Sequence, residues 1–416
     1  MINRNMLKIN VNDFGAVGNG KVLDTNAINK AIDACSRKGG GIVIFPPGRY
    51  LCGTIILKSH VSLFLEAGSQ LVGTPDLSRY KNCCSKHGIS KSQNSAWYNA
   101  LVLGVGVENI SILGDGTING QKVFNPDGEE HMRGPHTILF LESKNLCIKN
   151  ISIMDSGNYA IMIMKSDNIE IKNVKITGGW DGVHFRGRIE KTCRNISIID
   201  CHFYTGDDSI AGCYAENLLI RNCILNSSCN GIRIIGPVFR GIIQNCLFFG
   251  PGRYEHRTSG RYNMLSGIIL QPGAWMPCEG TLEDIFISDN TMQNVASPIT
   301  IWQKVNENIV KNITVNRLTA YGVYRAAASV ESWTNSPIEN IDFNDIFIQY
   351  TYSERINHKV AEGVLAPHVD ARPLPSWGFY AKNIRKMFFW NVRLKSLKRD
   401  KRPVEIFDNV VKLSKK

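Results

Sequence analysis

From about residue 100 the chain alternates apolar and polar positions in one recurring motif, Asn-apolar-x-apolar. It reads Asn109-Ile110-Ser111-Ile112, Asn145-Leu146-Cys147-Ile148, Asn168-Ile169-Glu170-Ile171 and Asn195-Ile196-Ser197-Ile198, then Asn217-Leu218-Leu219-Ile220, Asn312-Ile313-Thr314-Val315 and Asn340-Ile341-Asp342-Phe343. Between Asn145 and Asn217 the units recur every 22 to 27 residues. A second Asn or Asp follows a few positions later (Asn150, Asn173, Asp200, Asn222), again ahead of apolar-x-apolar. Period-two alternation predicts strands with one buried face. Short strands at this repeat length, with almost no helix between them, predict a solenoid. The fixed leucine consensus of leucine-rich repeats is missing, so the expected architecture is all-β: a right-handed parallel β-helix whose turn asparagines stack into hydrogen-bonded ladders.

The opening of the chain has a different period. Ala27, Ile28, Ala31, Ile32 and Cys35 fall on one helical face, with Asp24 or Thr25 available as a cap and Gly39-Gly40-Gly41 as a stop. Strands are predicted next at Ile42 to Phe45, Thr54 to Leu57 and Val61 to Leu65. The helix is the piece needed to cover the open end of a stack. The expected organisation is one domain, 1–416, with an N-terminal cap over about 1–45, coils over about 46–395 and a basic tail over about 396–416. Two spacings exceed one coil, Thr74 to Trp97 and Gly241 to Asp284, and both read as inserted loops of the kind that carry binding function.

Charge narrows the partners. A net charge of +12 favours polyanions, among them nucleic acid, anionic lipid and acidic polysaccharide, although part of the excess sits in Lys395 to Lys416. No nucleic-acid recognition motif is present, and no run of 18 apolar residues spans a membrane, so neither nucleic acid nor membrane is an expected partner. Met1 to Asn12 has no secretory apolar core, which places the chain in the cytoplasm as written, or in the periplasm or medium if a signal has been removed. The twelve cysteines are too few for a disulfide scaffold and lack metal-ligand spacing. Asp200-Cys201, Asn222-Cys223 and Asn245-Cys246 read as stacked buried thiols.

The chemistry concentrates between Asp181 and Gly236. Asp207 and Asp208 are adjacent in a small, apolar run, Thr205-Gly206-Asp207-Asp208-Ser209-Ile210-Ala211, and Asp181 precedes them in Gly179-Trp180-Asp181-Gly182-Val183. Neighbouring carboxylates against a buried face oppose each other's ionisation. Such a pair is held by a metal or by hydrogen bonds, or it shares protons in chemistry; capping of a turn is the plain structural alternative. Stacked coils would bring Asp181 onto the rung beside the pair.

These residues resemble glycoside hydrolase family 28, the polygalacturonase group of pectin-degrading β-helices. The likeness is carried by Asp13-Phe14-Gly15-Ala16-Val17-Gly18, by Gly114-Asp115-Gly116-Thr117-Ile118-Asn119-Gly120, by the Asp181-Gly182 and Asp207-Asp208 pairs, and by Leu374-Pro375-Ser376-Trp377-Gly378-Phe379-Tyr380 with Arg402-Pro403. The resemblance implies an inverting hydrolase of pectic or related acidic polysaccharides or oligosaccharides, with Asp208 as acid, Asp181 and Asp207 activating water, and neither metal nor cofactor. The family's Gly-His-Gly is replaced by Cys229-Asn230-Gly231, and its Arg-Ile-Lys by a stretch ending in Gln271. Expected substrate contacts are His184, which could stand in for the lost histidine, Asn230, Arg233, which could replace a lost cation, Arg257 in the inserted loop, Gln271, and Trp302 as a stacking face. Trp275 and Trp333 suit the same cleft. The rival readings are a calcium-dependent lyase on this fold and a non-catalytic, glycan-binding β-helix.

Overall fold

The computed structural model describes residues 7–81, 98–352 and 366–413. Residues 82–97, the greater part of the first predicted insertion, lie outside them. The fold is a right-handed parallel β-helix built from short strands that pair in parallel from coil to coil. The chain divides into two compact units, Met1–Arg186 with Cys193–His202, and Gly187–Thr192 with Phe203–Lys416. No boundary is visible in the sequence because the Asn motif runs through both.

In the first unit the helix Thr25–Arg37 buries Ile28, Ala31, Ile32 and Cys35 completely. Its cap differs from expectation. The Asp24 side chain makes no helix-capping bond; it accepts from the amides of Val17 (2.7 Å) and Gly18 (3.1 Å) instead. Thr25 accepts from the amide of Gly53 at 2.8 Å. Both side chains are thus committed to holding the preceding loop and the following strand. The predicted strand at Val61–Leu65 is observed with those limits, while the one at Thr54 to Leu57 shrinks to Ile55–Ile56. At Gly114, with φ of 116°, a Cβ would meet the Leu65 carbonyl oxygen at 2.0 Å, so the turn after strand Glu108–Gly114 tolerates only glycine.

The asparagine ladder is the strongest link between sequence and fold. Asn145 donates to Asn109 at 2.9 Å, Asn168 to Asn145 at 2.9 Å and Asn195 to Asn168 at 2.7 Å. All four have φ between 54° and 58°, the left-handed region that asparagine enters more readily than other side-chain-bearing residues. One residue type therefore supplies both the bend and the bond between rungs. Asn168→Ala removes two ladder bonds and places alanine at positive φ, and it is expected to cost about 1–2 kcal/mol in urea unfolding. Asn168→Gly should recover part of that loss; equal losses in the two variants would sink the conformational half of the account.

The second unit repeats the device at Asn222–Asn245, at Asp284–Asn312–Asn340 and at Asn383–Asn409. Its strands Asn230–Ile234, Ser266–Leu270, Ile299–Gln303 and Ala328–Ser332 stack in register, with Arg233 beside Ile269, Ile269 beside Thr300 and Thr300 beside Ser329. The region expected as a basic tail holds a strand, Glu405–Leu413, paired in parallel with the preceding long strand. The two parts of the late sequence motif meet: Arg402 donates to the Leu374 carbonyl at 2.8 Å, and the Trp377 amide to that of Pro403 at 3.0 Å. Cys201, Cys223 and Cys246 are buried, each with its thiol on the carbonyl two residues earlier, and the cysteines among the described residues are free.

Candidate active site

In the first unit, strands His136–Leu141, Ile161–Met164 and Val183–Arg186 align Leu139 with Met162 and Met162 with His184. The outward column is apolar for two rungs and then becomes polar at His184. Asp181 and His184 are 4% and 3% exposed, and His184 Nδ1 lies 2.7 Å from Asp181 Oδ2. Arg186 Nη2 lies 3.2 Å from the other ring nitrogen. Because a guanidinium only donates, Nε2 accepts and the proton sits on Nδ1, facing the carboxylate. Tyr159 stacks on His184 at 4.4 Å, and Arg133 lies 3.8 Å over the buried Trp180. This assembly holds Asp181 in one orientation.

In the second unit, Asp207 and Asp208 are 8% and 4% exposed. Asp208 Oδ1 accepts from the Asn230 amide (3.0 Å) and the Asn230 side chain (2.8 Å). Asp208 Oδ2 lies 3.7 Å from Arg233 Nη1. Burial raises the Asp208 pKa; Asp207 pushes in the same direction, while Arg233 and Asn230 oppose. Asp207 Oδ1 accepts from the Asp208 amide at 3.1 Å, so part of the turn-capping alternative is present in the same residues.

The expected substrate contacts separate into groups. Asn230, Arg233 and Gln271 come together, but onto one another and onto Asp208. With its amide oxygen facing the guanidinium, Gln271 accepts from Arg233 Nε at 2.7 Å and Nη2 at 2.9 Å, and donates to the Val369 carbonyl at 3.0 Å. Arg233 also donates to that carbonyl at 3.1 Å and packs 5.0 Å from the Trp275 ring centre. Nε and Nη2 are thus bonded to the protein, while Nη1 faces Asp208. Trp302 corrects the expectation of a stacking face: it is wholly buried and its indole donates to Glu331 at 3.1 Å. Arg257 is half-buried on the inserted loop. Trp275 is 53% exposed and lines a cavity of about 540 Å³ with Tyr214, Cys278, Glu279 and Glu307.

Two contacts escaped the sequence reading. His256, from the insertion after Gly241, places Nε2 3.7 Å from Asp207 Oδ1; the long spacing marked the loop but not this residue. Glu331 is fully buried and receives Trp302, Trp333 and both terminal nitrogens of Arg372. Arg372 thereby ties down the segment whose Val369 carbonyl meets Arg233. No local pattern announces either contact.

A family model described as Rhamnogalacturonase A/epimerase, pectate lyase-like matches residues 8–248. A Vitis vinifera protein named "Probable polygalacturonase" is 27% identical over 306 residues, 68% of this chain and 60% of that protein; the chain thus spans less than two thirds of that relative. Among solved structures, a hyperthermoactive exopolygalacturonase from Thermotoga maritima superposes with a TM-score of 0.66 at 21% identity, covering 84% of this chain and 88% of that one. PfbA, a surface adhesin of Streptococcus pneumoniae, gives 0.62 at 17% identity, covering 94% and 91%. At these identities the two structures speak to the fold alone.

Proposed function

We propose that this chain, which belongs to the rhamnogalacturonase A/epimerase, pectate lyase-like family, is a glycoside hydrolase that cleaves pectic or related acidic glycans by single-displacement inversion. The observation that carries the reading is the buried Asp207–Asp208 pair, with Asp208 held on one oxygen by Asn230 and flanked on the other by Arg233. Glycoside hydrolysis needs one carboxyl group that gives a proton and another that takes one. In this reading the Asp208 proton passes to the leaving glycosidic oxygen as the C–O bond breaks. Water attacks the anomeric carbon from the opposite face and its proton passes to Asp207. Asp181, oriented by His184, keeps the part of second water-activating carboxylate that the family resemblance gives it. The +12 net charge supports an acidic substrate.

Arg233 serves Asp208 in this scheme and not a uronate carboxylate. Trp275 is the aromatic face left open to a sugar. Trp275→Ala is expected to raise KM about five- to tenfold with little change in kcat, as loss of uniform stacking would; an unchanged KM would remove Trp275 from the cleft. The reading as a whole is tested by proton NMR of the first product released from a panel of pectic and neutral glycans. A fresh reducing end with inverted anomeric configuration supports it. Unsaturated products lost on chelation would replace it with a lyase, and no release from any glycan would leave a binding β-helix.

A further inference from the structure

We propose that Asp207, Cys229 and His256 form a binding site for a divalent transition metal of the zinc type. The three residues come from different parts of the second unit: the acid-bearing turn, the following coil and the inserted loop. All three are buried, and a carboxylate oxygen, a sulfur and a ring nitrogen lie within 4.8 Å of one another.

The separation of His256 Nε2 from Asp207 Oδ1, 3.7 Å, is too long for a hydrogen bond. It lies about 0.2 Å beyond the roughly 3.3–3.5 Å that tetrahedral bonds of about 2.0–2.2 Å set between an oxygen and a nitrogen on one ion, a gap that a small side-chain rotation closes. The other nitrogen of His256 is already engaged. Nδ1 lies 3.1 Å from Thr258 Oγ1 and 3.0 Å from Ser259 Oγ. In the tautomer whose Nδ1–H donates to either hydroxyl, the Nε2 lone pair lies on the Asp207 side of the ring, the outer-shell arrangement that orients metal-binding histidines. Arg261 Nη2 at 3.1 Å and Asn230 Nδ2 at 3.3 Å both direct N–H groups at Cys229 Sγ, while burial and the neighbouring Asp208 and Asp207 push the thiol well up, so an ion must displace its proton. The Arg261 charge opposes a cation, and the thiolate and Asp207 carboxylate outweigh it.

The donor set selects the metal class. Thiolate with imidazole suits zinc and its neighbours, whereas calcium and magnesium prefer oxygen throughout. Three protein ligands are the count of an open zinc site, with the fourth position left for water or another small ligand. On binding, the Cys229 S–H bond breaks, a metal–sulfur bond forms and one proton leaves to solvent; no electron is transferred. Occupancy takes Asp207 out of its proposed hydrolytic part, so the metal acts against turnover. Binding itself needs no turnover, and its measurement stands apart from the hydrolase reading.

The test is a titration of the metal-free full chain with Co²⁺, followed by displacement with Zn²⁺. One equivalent should produce a sulfur-to-cobalt charge-transfer band in the near ultraviolet, with visible bands of tetrahedral intensity and release of about one proton per ion. Zn²⁺ should bleach the spectrum. Cys229→Ser should abolish the charge-transfer band, and His256→Gln, a change in a surface loop, should weaken affinity more than about tenfold. Circular dichroism of both variants shows whether they fold, and His256→Gln decides if Cys229→Ser does not. The proposal is overturned if Co²⁺ gives no thiolate band, or if the band persists in Cys229→Ser, which would place the ion on other cysteines. It is also overturned if folded His256→Gln binds as tightly as the unaltered chain.

Discussion

Asp208→Asn is expected to lower kcat for glycan hydrolysis by about 10²–10⁴-fold while leaving KM within a factor of a few. The side chains have the same shape, and an amide oxygen at the Oδ1 position can still accept from the Asn230 amide and side chain, which now sit 3.0 and 2.8 Å from the carboxylate. What the amide cannot do is transfer a proton to a leaving oxygen. The variant also leaves Arg233 without its anion, so thermal unfolding should accompany the kinetics. A folded Asp208→Asn protein with full turnover would end the assignment of Asp208 as the acid. Turnover that falls only in proportion to the folded fraction would return Asp208 to a structural part.

The largest stability effect is expected at Glu331. This side chain is completely buried, and its two oxygens receive four donors: Trp302 at 3.1 Å, Trp333 at 2.9 Å, and Arg372 at 3.0 and 2.6 Å. Truncation leaves a guanidinium and two indole N–H groups facing a void. Removing one partner of such a pair costs about 3–5 kcal/mol. Glu331→Ala should therefore unfold at markedly lower urea concentration than the unaltered chain. Its effect should also reach the acids, because Arg372 anchors the segment whose Val369 carbonyl accepts from Arg233 and Gln271. A loss below about 1 kcal/mol would show that the clamp contributes little.

These two residues differ in how far the sequence announced them. Asp207-Asp208 was legible because adjacent acids in an apolar run contradict their surroundings, and a local contradiction can be read locally. Glu331 looks like an ordinary polar strand position. Its burial comes from Arg372, 41 residues on, and from two indoles, Trp302 on the neighbouring strand and Trp333 two residues along. Arg233 shows the same limit. Its column position follows from the repeat, yet its partner Val369 lies 136 residues away, so a side chain that reads as a free cation is instead an internal brace. Trp302 was misplaced for this reason too, since which strand positions stay open depends on what folds back over them.

The sequence by itself determined the coil: period-two strands, asparagines at the left-handed bends, the covering helix and the adjacent acids on one rung. All of these rest on contacts within a coil or between successive coils, where spacing along the chain and spacing in space are nearly the same. Tertiary structure alone decided which side chains the returning segments bury and which they bring to the acids. His256 on Asp207, Val369 on Arg233 and Arg372 on Glu331 are products of inserted or returning chain, whose path is set by packing against the finished stack rather than by any periodic signal.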